Sequence, residues 1–109
     1  MAVIITGGCG FIGARLGARF AAHGKEVVAV DFAPPSELAR SMWNDKVTFE
    51  QCDIADKQRV AAIVRSAGSE DPILHLAAIL TAGCDTDPSK AITVNVGGFV
   101  NLIDPIREH

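Results

Sequence analysis

Thr6-Gly7-Gly8-Cys9-Gly10-Phe11-Ile12-Gly13 is the stretch whose reading decides the fold. Gly7, Gly10 and Gly13 fall three apart, directly after the apolar run Ala2–Ile5 and directly before a helical pattern that starts near Ala14. A glycine triplet acquires meaning only between a strand and a helix, and here it has both neighbours. Gly7 allows a tight turn off the strand, Gly10 lets the backbone come close to a bound pyrophosphate, and Gly13 lets the helix pack tightly on the sheet. The uncompensated N–H groups of the first helical turn, with the positive end of the helix dipole behind them, complete a phosphate cradle.

Outward from that loop the chain alternates strand and helix. Ala2–Ile5 is short, apolar and partly β-branched, as in a strand buried on both faces of a parallel sheet. Ile12, Leu16 and Phe20 recur at helical spacing with Ala21 on the flank, and Gly24 closes that helix. Glu26–Val30 is a second buried strand ending at Asp31. Pro34 and Pro35 break the chain, Ser36 caps a short helix through Leu38 to Met42, and Trp43 reads as a packing residue. Val47–Gln51 forms a third strand. Asp56 then caps a helix carrying Val60, Ile63 and Val64, which Gly68 ends. Pro72–Leu76 forms a fourth strand, followed by a loop rich in Thr, Gly and Asp. A last helix runs from Asp87-Pro88 through Ile92, Val96, Val100 and Ile103, with Pro105 expected to perturb it near its end. This β-α alternation with right-handed crossovers predicts an α/β fold, a doubly wound parallel sheet of Rossmann type in the order 3-2-1-4.

Composition sets bounds on function. A chain of 109 residues, 49% hydrophobic and 21% charged, has the balance of one globular domain with a substantial core. Its net charge of −3 and scattered basic residues favour neither nucleic acid nor an anionic membrane as partner. The first apolar run lacks a basic flank and is too short for a signal peptide or a membrane span, so the expected location is cytoplasmic. Cys9, Cys52 and Cys84 are odd in number without a CxxC pair, which argues against a disulfide framework or a zinc site and for reduced, bland thiols. His75, in a buried strand with no metal-type partner spaced near it, reads as a satisfied core histidine.

Asp31 lies 18 residues beyond Gly13 at the end of the second strand, where an acidic side chain accepts hydrogen bonds from the adenosine ribose hydroxyls of a dinucleotide. Its carboxylate would repel a 2′-phosphate, and Phe32, Ala33, Pro34 and Pro35 supply no cation to bind one, so NAD is favoured over NADP.

Together with Thr6–Gly13 and Asp31, the segments Asp53-Ile54, His75-Leu76-Ala77-Ala78, Asn95-Val96 and Asn101-Leu102 make this chain resemble the extended short-chain dehydrogenase/reductase family of NAD-dependent epimerases and dehydratases. The resemblance covers nearly all of the chain. It implies that Gly7, Gly10, Phe11, Ile12 and Gly13 form the pyrophosphate loop, that Asp31 with Phe32 beside it holds the ribose, and that Asp53 with Ile54 holds the adenine. Leu76, Ala77 and Ala78 would line the cofactor, and Asn95 would be the helix residue that steadies the sheet and the active-site geometry. Read without the family, Asp53 is also a plausible turn cap, and a mid-helix Asn at 95 calls for a tertiary hydrogen bond.

The family's catalytic Tyr-x-x-x-Lys pair would lie beyond residue 109, and this sequence contains no Tyr. Phe99 stands where a Thr commonly follows the glycine, and Pro105 where a small residue is usual. The resemblance therefore implies that residues 1–109 are an NAD-binding domain lacking its catalytic and substrate-binding parts, inactive alone and acting on a small-molecule substrate in the intact enzyme. An uncovered sheet edge adds the expectation of a homo-oligomer, in particular a dimer. A non-catalytic nucleotide-binding or interaction module, or an inactive truncated product, is the alternative.

Overall fold

The computed structural model describes residues 2–109. Four parallel strands, β1 (Ala2–Thr6), β2 (Glu26–Asp31), β3 (Val47–Gln51) and β4 (Ile73–His75), form one sheet in the order β3-β2-β1-β4. The expected doubly wound topology is thus observed. Ile5 pairs with Ala29 on one side and Leu74 on the other, which sets the register across the sheet centre.

Side chains alternate across β1 with the period of two that a strand imposes. Val3 and Ile5 face helix α1 (Phe11–Ala22) together with Val27 and Ala21, with Leu16 and Phe20 packed against them. Ile4 joins Val30, Ile54, Val60, Val64 and Leu102 on the opposite face, beneath α3 (Lys57–Ser66) and α6 (Gly98–Glu108). The sheet is therefore covered on both faces, which is why β1 is an unbroken apolar run.

The start signals behave as expected: Ser36 Oγ accepts from the Ala39 N–H at the head of α2 (Glu37–Met42), and an Asp56 oxygen accepts from the Arg59 N–H at the head of α3. Gly24 takes φ of 84° after α1. Gly68 plays no such part. The last helical residue of α3 is Ser66, Ala67 is extended, and the Gly68 N–H donates to Asp71. Trp43 donates its indole N–H to the Ala14 carbonyl at 3.0 Å, which fixes it as a packing residue against α1.

Two parts of the C-terminal third differ from the sequence expectation. The segment expected to be a loop after β4 contains a short helix, α4 (Thr81–Thr86). The last helix is one continuous run of three pieces: α5 (Pro88–Ile92), a π-helical segment (Thr93–Gly97) and α6. It also passes through Pro105, which is buried, and continues to Glu108. A proline removes one N–H bond, and this close to a helix end packing makes up the loss. Moreover, Ile92, Val96 and Val100 face outward, while Ala91, Gly98 and Leu102 are buried. A Cβ on Gly98 would come within 2.7 Å of Ile54 Cγ2, so the face that meets the core runs through Ala91, Gly98 and Leu102 instead of Ile92, Val96 and Val100.

Candidate functional site

Strands β1 and β2 end side by side, and the loop between β1 and α1 crosses their ends. Gly7 sits at φ of 68°, a conformation that favours glycine, and its N-terminal neighbour is the last residue of β1. The Gly8 N–H returns to the Val30 carbonyl at 3.1 Å and the Gly10 N–H to Gly7 at 3.1 Å, which folds the loop tightly over the sheet. A Cβ on Gly13 would lie 2.2 Å from the Gly7 carbonyl oxygen, and one on Gly8 would lie 2.7 Å from Ala29 Cα. Both positions are closed by backbone. Gly10 is different, since a Cβ there would meet only the Gly7 oxygen at 3.4 Å, ordinary contact. The chain itself does not require glycine at position 10.

Gly10 also caps α1 without a side-chain acceptor, and the first turn carries no acid. The helix thus begins with N–H groups that no side chain neutralises. In front of it opens a cleft of about 680 Å³, within the range of small-molecule sites. Gly7, Gly10, Phe11, Ile12 and Gly13 border it on one side, Asp31 and Phe32 at the end of β2, Asp53 and Ile54 after β3, and Leu76, Ala77 and Ala78 after β4. The structure therefore brings together all the sequence-derived site residues but one.

Asn95 is the exception. It does not border the cleft; its amide oxygen accepts from the Ile79 N–H at 2.7 Å and its amide nitrogen donates to the Ile79 carbonyl at 3.0 Å. It holds the wall, because Ile79 and Leu80 border the cleft. The tertiary hydrogen bond that a mid-helix Asn calls for is this two-point clamp. It sits within the π-helical segment, a distortion often found near functional sites.

Other members of the site have local duties as well. An Asp31 carboxylate oxygen accepts from the Cys9 N–H at 3.1 Å, tying the glycine loop to the end of β2. An Asp53 oxygen accepts from the Ala55 N–H at 2.9 Å, the geometry of an Asx turn, so the turn-cap reading of this residue holds beside its position in the cleft. Ile54 is 6% exposed and gives most of its side chain to the core. Asn101 donates to the Ile54 carbonyl at 3.1 Å, which anchors that wall to α6. On the outer lip, the Arg15 guanidinium lies 3.7 Å from the Phe11 ring centroid and donates to the Phe11 carbonyl.

Thr6, a buried polar residue at the end of β1, went unassigned in the sequence reading. Its hydroxyl oxygen accepts from the Leu76 and Ala77 N–H groups at 3.0 and 3.2 Å. The same hydroxyl shares a hydrogen bond with His75 Nδ1, 2.7 Å away, while the Leu76 N–H is divided between it and the Thr6 carbonyl. Burial depresses the His75 pKa, and the ring tilts against Phe99 at 5.9 Å. His75 is hydrogen-bonded as the sequence suggests, but half-buried on the edge strand β4 rather than in the core. A polar residue ending an otherwise apolar strand was the available signal for Thr6; nothing comparable marks Gly8.

Cys9 offers no ready nucleophile: burial, followed by the Asp31 charge, pushes its thiol up to about 11, so it is protonated at neutral pH. Burial likewise raises the Cys52 thiol. All three cysteines are free.

A parallel, doubly wound sheet with a glycine loop opening on a cleft beyond the carboxyl ends of the strands defines a dinucleotide-binding fold. Comparison with known proteins narrows this. Residues 3–109 match the NAD dependent epimerase/dehydratase family, and the chain belongs to it. It is 33% identical over 109 residues to an uncharacterised epimerase/dehydratase of Staphylococcus saprophyticus, covering 98% of this chain and 33% of that protein. It is 30% identical to the UDP-glucose 4-epimerase of Streptococcus mutans, covering 99% of this chain and 32% of the relative. Among solved structures, the Thermus thermophilus UDP-glucose 4-epimerase in complex with NAD superposes with a TM-score of 0.81 at 30% identity, over 99% of this chain and 34% of that one. The chain thus spans about one third of the length of the relatives it matches. No helix among the described residues is long and apolar enough to cross a membrane.

Proposed function

We propose that this chain is the NAD-binding portion of an extended short-chain dehydrogenase/reductase that acts on a sugar nucleotide or a small hydroxy acid. The observation that carries the reading is the cleft itself: an uncapped helix start and a glycine loop face it, with room at Gly10 that the fold does not need. NAD fits this lining. Gly7–Gly13 and the start of α1 would hold its pyrophosphate, Asp31 and Phe32 its adenosine ribose, Asp53 and Ile54 its adenine, and Leu76–Ala78 the inner wall. Bound NAD supplies hydride acceptance and return; the chain supplies binding and orientation.

The proton transfer that accompanies hydride transfer lacks the family's tyrosine here, since the sequence contains no Tyr, and the His75 Nδ1 is already engaged by Thr6. Catalysis would need groups outside these 109 residues, and a positioned acid/base is typically worth about 10²–10⁴-fold. Relatives named UDP-glucose 4-epimerase support a nucleotide-sugar substrate for the intact enzyme. Calorimetry with NAD and NADP side by side tests the reading: binding that favours NAD is expected. Absence of NAD binding at millimolar cofactor would refute it, and a preference for NADP would refute the assignment of Asp31.

One feature favours self-association as well. Ile92, Val96, Phe99 and Val100 form an exposed apolar face on the last helical run, on the side of the sheet where β4 is the edge strand. A homodimer through this face is the expected state of the isolated chain, and light scattering that returns the monomer mass at high concentration would refute it.

A further inference from the structure

Lys90 is the sole cationic side chain among the described residues that border the cleft, which otherwise carries the two carboxylates Asp31 and Asp53. It forms no ion pair and no side-chain hydrogen bond with any described residue. Val94, one turn further along, borders the cleft too, so the stretch from Lys90 to Val94 is turned toward it. The same run carries Asn95, whose clamp on Ile79 fixes the wall beside Lys90.

Its position is unfavourable for the helix. Lys90 lies in the first turn of the run Pro88–Glu108, where the dipole favours anions, and Asp87 supplies the matching acid as N-cap by accepting from the Lys90 N–H. A cation placed against the local preference, at a cleft with two acids and without a partner in the chain, fits a ligand that brings negative charge.

Resting on the NAD-binding reading, we infer that Lys90 is a binding residue for the diphosphate of the dinucleotide, acting across the cleft from the glycine loop. The glycine loop supplies N–H donors and only the partial charge of one helix end, whereas a diphosphate brings two full negative charges into a cleft that already carries the Asp31 and Asp53 carboxylates. The Lys90 ammonium offsets that excess and adds a charge-assisted hydrogen bond. Because the cleft is open to water, its contribution is sensitive to salt.

The test is calorimetry on the intact chain with NAD, ADP and adenosine as probes, at low and high salt. Lys90→Gln is expected to weaken NAD and ADP about tenfold at low salt, the worth of one hydrogen bond to a charged group. The loss should shrink at high salt, adenosine binding should be unchanged, and Lys90→Arg should retain most of the affinity. Lys25→Gln, at the turn after α1, removes the same charge away from the cleft and should leave all three ligands unaffected. Equal NAD affinity in wild type and Lys90→Gln would overturn the inference while leaving the cofactor reading intact. A matching loss for adenosine, or in Lys25→Gln, would overturn it by reducing the effect to local structure or bulk charge. A wild-type chain that binds no NAD would overturn both.

Discussion

Gly10→Ala and Gly13→Ala separate what the glycine loop does for the fold from what it does for a ligand. At Gly13 the added methyl would sit 2.2 Å from the Gly7 carbonyl oxygen and 2.9 Å from Gly8 Cα, so two backbone segments that hold each other must part by about 1 Å. Overpacking of this kind costs about 3 kcal/mol, and with roughly 4–8 °C per kcal/mol for a domain near this size, Tm should fall by roughly 12–24 °C. At Gly10 the methyl meets one atom at 3.4 Å, and φ of −76° with ψ near 180° is open to alanine. The gain from a less flexible unfolded chain, about 0.4–1 kcal/mol, is offset by a loss of similar size, because alanine is a poorer N-cap than glycine. Stability should therefore change by less than about 1 kcal/mol, while the methyl occupies the space where a diphosphate would approach. Thermal melts followed by circular dichroism, with NAD titrations of each folded variant, read the two effects apart. The reasoning is refuted if Gly10→Ala binds NAD as wild type does, or if Gly13→Ala melts within 3 °C of it, a margin of roughly 0.5 kcal/mol.

Three further outcomes follow from the site. Asp31→Ala removes an acceptor from the Cys9 N–H as well as from a ribose, so NAD affinity should fall by about 1–3 kcal/mol in calorimetry; an unchanged Kd would discredit the ribose role. Asn95→Ala leaves both Ile79 main-chain groups without their partner and should cost about 2 kcal/mol in urea unfolding, whereas a change below 0.5 kcal/mol would mean that the clamp is dispensable. His75 has a depressed pKa in the fold, so the unfolded chain binds its proton first. Its contribution to stability is full above the unfolded value near 6.5 and is lost as pH falls toward the folded value. The urea midpoint should drop between pH 7.5 and 5.5, and His75→Gln should flatten that drop; an identical slope in the variant would contradict the depression of the His75 pKa by burial.

Much of this was legible in the order of residues, for reasons that are local. Strand β1 reads as apolar because both of its faces are covered, and Gly7 must turn the chain where β1 stops. The caps at Ser36 and Asp56 are legible since a side chain bonding an N–H three residues on needs only its own neighbours. Even the topology follows, given that parallel strands joined by single helices admit few right-handed arrangements.

What depends on separation in the chain was not legible. Ile92, Val96 and Val100 have helical spacing, which shows that a helix exists; which side is buried was decided by Ile54, leaving room only for Gly98. The partners of Thr6 lie about seventy residues away, and those of Asn95 sixteen, so neither role follows from spacing. Lys90 looks in the sequence like any solvated cation and is placed at the cleft only by the packing of its helix on the sheet. Residue order by itself determined the glycine loop, the strand-ending Asp31 and the fold they imply, because turn chemistry and strand periodicity act over a few bonds. Tertiary structure alone decided which side chains face the cleft and which hold its walls, because those choices are made by contacts between segments that the sequence keeps apart.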